Sequence, residues 1–199
     1  MDNKIQKIWE EFLNPEVMRP RLIATSLYIT GFEMLKDSII IRIKDFFTHG
    51  FNEDGDIIDP KYQFDVLSRN KSILYASLYW LKYMEAIDEN DINTFNRIKT
   101  RRNELAHRLH HLLGSEGMPT DFEKCFQEMV SFLRKIEVWW IVNVEIPTNP
   151  DYDGKEIDEA GIVPGPVMSL QLMCGIALGS DKKSRFYYEE FKKNSNSKT

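Results

Sequence analysis

No run of about 18 apolar residues occurs in this 199-residue chain, which excludes a transmembrane helix of ordinary length. The longest apolar stretches, at 38–41 and 138–144, are short or closely flanked by charge. Cysteine is scarce: Cys125 and Cys174 are far apart and form no CxxC pair, so they read as buried thiols rather than a disulfide or a metal site. HExxH is missing. His107 and His111 have the i,i+4 spacing of zinc-binding helices, with His110 beside them, but no third ligand follows, so no metal and no cofactor is expected. The acidic segment 51–60, FNEDGDIIDP, lacks the D-x-[DN]-x-[DN]-G pattern and closing glutamate of a calcium loop, and reads as a plain surface loop. The opening MDNKIQKIWEEF has no signal-peptide apolar core, so a cytoplasmic protein with no membrane attachment is expected. There is no internal repeat and no sustained heptad. A net charge of −5 argues against a surface that binds polyanions generally.

What the chain does have is helical periodicity in long segments. Asn14-Pro15 breaks a short first helix from a long second one, expected over about 21–49, with Pro20 near its start and Gly50 at its end. Its Leu22, Ile29, Phe32, Leu35, Ile39, Ile43 and Phe46 keep a helical period, with Glu33 and Asp37 one turn apart at the stripe's edge. A third helix is expected over about 62–86, and a fourth from Glu89 to Leu113, stopped by Gly114. Thr120 with Glu123 three residues on looks like a capping box for a fifth helix running to about 144. In that helix, Trp139-Trp140 suit a core or a dimer contact better than a nucleotide stack. Residues 147–166 turn rich in Pro, Gly and Asp, 167–178 suit a short apolar helix or a strand, and the closing KKNSNSKT should be disordered. The expected fold is all-α: an up-and-down bundle of four to five long helices over residues 1–146. Residues 147–199 add a loop, a short apolar element and a tail packed on the same domain.

One arginine breaks the pattern. At about 100° per residue, Ile92, Phe95, Ile98, Leu105, Leu109 and Leu112 share one face of the fourth helix, and Arg102 falls in the middle of it. An arginine in an apolar stripe is costly unless its charge is paired or its head reaches water. His107 lies roughly 140° round the helix from Arg102 and shares its face with Asn103 and His110. From Arg97 to His111 there are five basic side chains against one acidic, although Glu85, Asp88, Glu89 and Asp91 precede them. This strip reads either as a solvated helix face or, with Arg102, as a patch with a use.

Arg102-Asn103-Glu104-Leu105-Ala106-His107 resembles the R-x-x-x-x-H motif of the HEPN superfamily, in which the residue after the arginine is often Asn. The resemblance covers about 21–144 and does not extend past Pro147. It implies a helical bundle that is often a metal-independent endoribonuclease in toxin–antitoxin, abortive-infection or CRISPR-associated defence, and sometimes an inactive module that binds RNA or protein. It implies a homodimer, in which paired motif helices bring two Arg102 and two His107 into one groove. Arg102 and His107 would then be catalytic. Asn103 would orient the histidine or touch phosphate, Glu33 or Asp37 would hold Arg102, and Arg101, Arg108 and His110 would bind RNA. In the toxins paired with a nucleotidyltransferase antitoxin, a tyrosine two residues after the motif histidine is adenylylated. Here that residue is Leu109, so that form of control is not expected. Three readings remain at this stage: a dimeric endoribonuclease with an antitoxin or other defence protein as partner, a silent HEPN-like module, and a helical interaction protein with an accidental motif.

Overall fold

The computed structural model describes residues 3–114 and 116–196, with side chains for 5–114 and 116–193. The fold is all-α, with one small hairpin. Helix α1 spans Asn3–Leu13 and α2 Pro15–Phe46. Asn14 caps α2, its Oδ1 accepting from the Glu16 N–H at 3.0 Å. The expected start near residue 21 is too late, because α2 runs straight through Pro20. Pro20 stands one turn after the proline at the helix's first position, so its ring forfeits a single backbone bond near the helix end. Arg21, next to it, ties α2 to Glu11 of α1 at 2.9 Å.

Segment 51–60 is not a plain loop. Thr48–Asn52 (β1) and Gly55–Ile58 (β2) form an antiparallel hairpin, irregular between Thr48 and Gly50. Its turn works because Asn52 Oδ1 accepts from the Asp54 N–H at 2.9 Å and Gly55 takes a φ of 118°, a conformation that disfavours a side chain. The expected long helix over 62–86 is also divided. Tyr62–Val66 is a π-turn, Leu67–Arg69 a 3₁₀ turn, and α3 occupies only Ile73–Tyr83. The reason is local: extended Asn70 turns its Oδ1 to the Ser72 N–H at 2.9 Å, and side chains that bond nearby backbone compete with the helix.

Helix α4 covers Glu89–Leu113, as the periodicity indicates. It opens on a reciprocal cap in which Asp88 Oδ1 accepts from the Asp91 N–H and Asp91 Oδ2 from the Asp88 N–H, at 2.9 and 2.8 Å. Helix α5 spans Phe122–Trp140. Its N-cap is Asp121 rather than Thr120, and no side chain completes the cap. Asp121 instead meets Arg101 at 2.5 Å, an ion pair that takes the carboxylate away from the helix end. A π-turn at Ile141–Glu145 and a single turn, α6 (Ile146–Thr148), lead into the Pro- and Gly-rich segment. Helix α7 (Gly165–Leu178) returns to the bundle, and α8 (Asp181–Asn196) packs on it. Residues 192–196 of the expected disordered tail are thus helical, and 197–199 lie outside the described residues.

Helix α2 is central, packing against α3, α4, α5 and α7. Leu35, Ile39 and Ile43 of α2 are fully buried with Phe95, Ile98 and Leu105 of α4 and Met129, Leu133 and Ile136 of α5. Gly31 allows the close approach, since a Cβ there would stand 2.6 Å from Met129 Cε and 3.0 Å from Leu170 Cδ2. Trp140 belongs to the core, 2 % exposed, with its ring stacked on Trp80 at 6.0 Å.

Candidate functional site

The site is carried by α4 and positioned by α2. Tyr28 of α2 is fully buried and donates its hydroxyl to the Ile98 carbonyl at 3.1 Å, and burial pushes its phenol pKa upward. Phe32 of α2 stacks on Phe95 with centroids 6.0 Å apart. These ties fix the register in which Glu33, next to Phe32 on α2, meets Arg102, one turn beyond Ile98 on α4.

Arg102 Nη2 donates to Glu33 Oε1 at 2.7 Å, and its guanidinium carbon stands 5.4 Å from the Phe32 ring centroid. That resolves the arginine in the apolar stripe: the charge is paired, the planar group lies over an aromatic ring, and the side chain keeps 30 % of its surface exposed. Its Nη1 is 3.4 Å from Asn103 Oδ1, while Nε is buried without a partner. Glu33 also accepts from Lys36 at 2.5 Å. Lys36 first, and Arg102 after it, hold the Glu33 carboxyl below the usual carboxylate range. Of the two acidic residues expected to hold Arg102, Glu33 does so. Asp37, one turn on, lines a separate cavity between α2, α5 and α7.

His107 is exposed on α4, and among the described residues it forms no hydrogen bond or ion pair. Asn103, Ala106 and His110 are exposed as well. The His110 and His111 rings lie 3.9 Å apart. The basic strip is largely neutralised within the chain. Arg101 bridges Glu104 and Asp121, and Arg108 meets both oxygens of Glu116 at 2.7 and 2.9 Å. The structure therefore brings Arg102, Asn103 and Glu33 together, leaves His107 and His110 open to solvent, and engages Arg101 and Arg108 elsewhere. Among the described residues no group of three or more His, Cys, Asp or Glu side chains is arranged to hold a metal ion. No helix among them is long and apolar enough to cross a membrane.

Sequence reasoning passed over Glu137. It is 1 % exposed on α5, with Arg42 Nη2 2.8 Å from its Oε2. Arg42 is thus the ion-pair partner of this buried carboxylate. Arg42 also donates to Glu145 at 2.6 Å. A signal was available: at 100° per residue Glu137 falls at the edge of the stripe formed by Met129, Leu133, Ile136 and Trp140, as Arg102 falls within that of α4.

Comparison with known protein families, curated proteins and solved structures yields no match to this chain.

Proposed function

We propose that the protein is a HEPN-like, metal-independent endoribonuclease that works as a homodimer, in a cytoplasmic defence or toxin setting. The observation that carries this reading is the pairing of two unlike side chains on α4. Arg102 is part-exposed and held in one orientation by Glu33 and Phe32, while His107 is exposed and, among the described residues, forms no hydrogen bond or ion pair. RNA cleavage without a metal needs a base for the 2′-hydroxyl proton, an acid for the departing 5′-oxygen, and a donor to the phosphorane oxygens. Histidine suits the proton steps because its ordinary pKa is near neutrality. Arginine suits the phosphorane because its charge is permanent and its planar fork donates two hydrogen bonds. The angle of about 140° between the two residues on one helix is bridged most simply by a second copy, with His107 of one chain and Arg102 of the other facing one phosphate. Asn103, already beside Arg102, would contact the same group.

The test is incubation of single-stranded RNA with the protein in excess chelator, followed by analysis of the ends. The expected products carry a 2′,3′-cyclic phosphate and a 5′-hydroxyl, and both Arg102→Ala and His107→Ala abolish them. Wild-type turnover retained by both variants would remove the reading. A second reading, a catalytically silent HEPN-like module that binds RNA or a protein partner, is favoured by the Arg102–Glu33 pair itself, which occupies the guanidinium. Arg102→Lys separates the two. Lysine can keep an ion pair to Glu33 but not the bidentate phosphate geometry, so the silent module would tolerate the change and the nuclease would not.

A further inference from the structure

Helix α8 has no core to bury. Among its described side chains only Ser184 and Glu190 are half-buried, and the rest are exposed. Its apolar side chains are all aromatic: Phe186, Tyr187, Tyr188 and Phe191, 49–71 % exposed, with no aliphatic residue among them. A lone helix of this length is marginal in water, and helices in proteins draw most of their stability from an apolar face that is covered. At about 100° per residue the four aromatics fall within one arc of about 200°, and Lys182, Arg185, Lys192 and Lys193 lie on the opposite arc. Lys183 and Glu190 fall among the aromatics, and Glu190 is paired with Lys193 at 2.7 Å. The charge is also uneven. Helix α8 carries five basic side chains against three acidic, +2, on a chain of net charge −5, which leaves −7 for the remainder. Helix α7, which leads into α8, has no charged residue, and Ile176 and Leu178 at its end are exposed.

We propose that α8, with the exposed end of α7, docks on the surface of an anionic lipid bilayer, with α8 lying in the plane of the headgroups. Low overall hydrophobicity, aromatics on one face and Lys and Arg on the other are what an interfacial helix needs. The aromatic rings enter the boundary between headgroups and acyl chains, where tyrosine keeps its hydroxyl toward water. Ile176 and Leu178 extend the apolar contact. The long basic side chains reach the headgroup phosphates from the polar face. Lys192 already stands over the Tyr188 ring, 5.0 Å from its centroid, at the border of the two faces. The acidic remainder of the chain is repelled by the same surface, which orients the molecule with α8 toward it. The expectation of no membrane attachment rested on the missing spanning run and signal peptide, and a helix lying on the surface needs neither. Single-stranded RNA would use the aromatic and basic side chains but not Ile176 and Leu178. A hydrophobic groove on another protein would leave the cationic face unused. The proposal stands apart from the nuclease reading, because α8 carries none of the residues assigned to RNA cleavage.

The experiment is co-sedimentation of the full chain with vesicles of phosphatidylcholine alone and of phosphatidylcholine mixed with phosphatidylglycerol. Binding to the mixed vesicles is expected, weakening as salt is raised, with little binding to phosphatidylcholine alone. Phe186→Ser with Tyr187→Ser, and separately Lys182→Ser with Arg185→Ser, should each weaken binding by about tenfold or more. All four side chains are exposed, so both variants should keep the wild-type Tm, and RNA cleavage without vesicles should be unchanged. Failure of this proposal is thereby separate from failure of the nuclease reading. No binding to the mixed vesicles would overturn the proposal, as would equal binding to both kinds of vesicle or binding unchanged in both variants. Binding of polyuridylate, or self-association, that is lost in these variants while vesicles are not bound would give α8 to RNA or to a second copy instead.

Discussion

Arg102 and Glu33 meet at 2.7 Å across the seam between α4 and α2, and both side chains remain about one-third exposed. A buried partnership would make Arg102 a structural keystone. A part-exposed one leaves the guanidinium both oriented and within reach of solvent.

That exposure sets the first prediction. Partly exposed ion pairs contribute about 0–1 kcal/mol, so Arg102→Ala should cost roughly that, plus a little for the lost contact with Phe32. His107→Ala, at an exposed position with no hydrogen bond or ion pair among the described residues, should leave stability unchanged. If the nuclease reading holds, Arg102→Ala loses a donor to the transition state and RNA turnover falls by about a hundredfold or more. Urea denaturation and cleavage assays on the same preparations check this. A stability loss of several kcal/mol confined to Arg102→Ala would instead assign the residue to the fold.

The oligomeric state follows from the composite site. Light scattering at micromolar concentration should give twice the 23.4 kDa chain mass. Ala106 is exposed, and at about 100° per residue it lies between Arg102 and the Asn103/His107 face. Ala106→Arg should therefore split the dimer and abolish cleavage while the helical circular dichroism signal stays. A monomeric wild type would sink the composite site.

Acid should weaken the α2–α4 seam in a defined direction. Glu33 is held below its ordinary pKa by Lys36 first and by Arg102. Its contribution is therefore complete above the unfolded carboxylate value of about 4.3 and is lost as pH falls through the lower folded value. The stability difference between wild type and Glu33→Gln should be constant from neutrality to about pH 5 and shrink toward zero in stronger acid. Denaturant midpoints measured across that range check it, and a difference that grows on acidification would contradict the assignment.

The start of α4 gives a test independent of function. Asp88 accepts from the Asp91 N–H, and that backbone bond is the main cause lowering its carboxyl pKa. Asp88→Ala should destabilise the protein by about 1 kcal/mol. Asp88→Asn or Asp88→Ser should recover most of that, because either keeps an acceptor at the cap, and urea midpoints resolve the series.

Much of this architecture is legible from periodicity and punctuation. The bounds Glu89–Leu113 agree with the structure because a continuous 3.6-residue stripe and Gly114 point to the same helix. The division of the segment 62–86 was not legible, because its apolar spacing permits a helix and only the Asn70 side chain, bonding its own neighbourhood, breaks it. The hairpin was missed for a related reason: a short polar segment with a Gly turn shows no alternation strong enough to read as strands.

The sequence by itself determined the helical class, the positions of the main helices and the anomaly at Arg102, because these depend on interactions within a turn or two of chain. Only the tertiary structure decided which carboxylate holds Arg102, that Arg101 takes Asp121 away from its cap, and that Glu137 is buried beside an open cavity. Each depends on which helix faces which, and at what register. That follows from how whole apolar surfaces fit together around α2, where Gly31 leaves room for Met129 of α5 and Leu170 of α7.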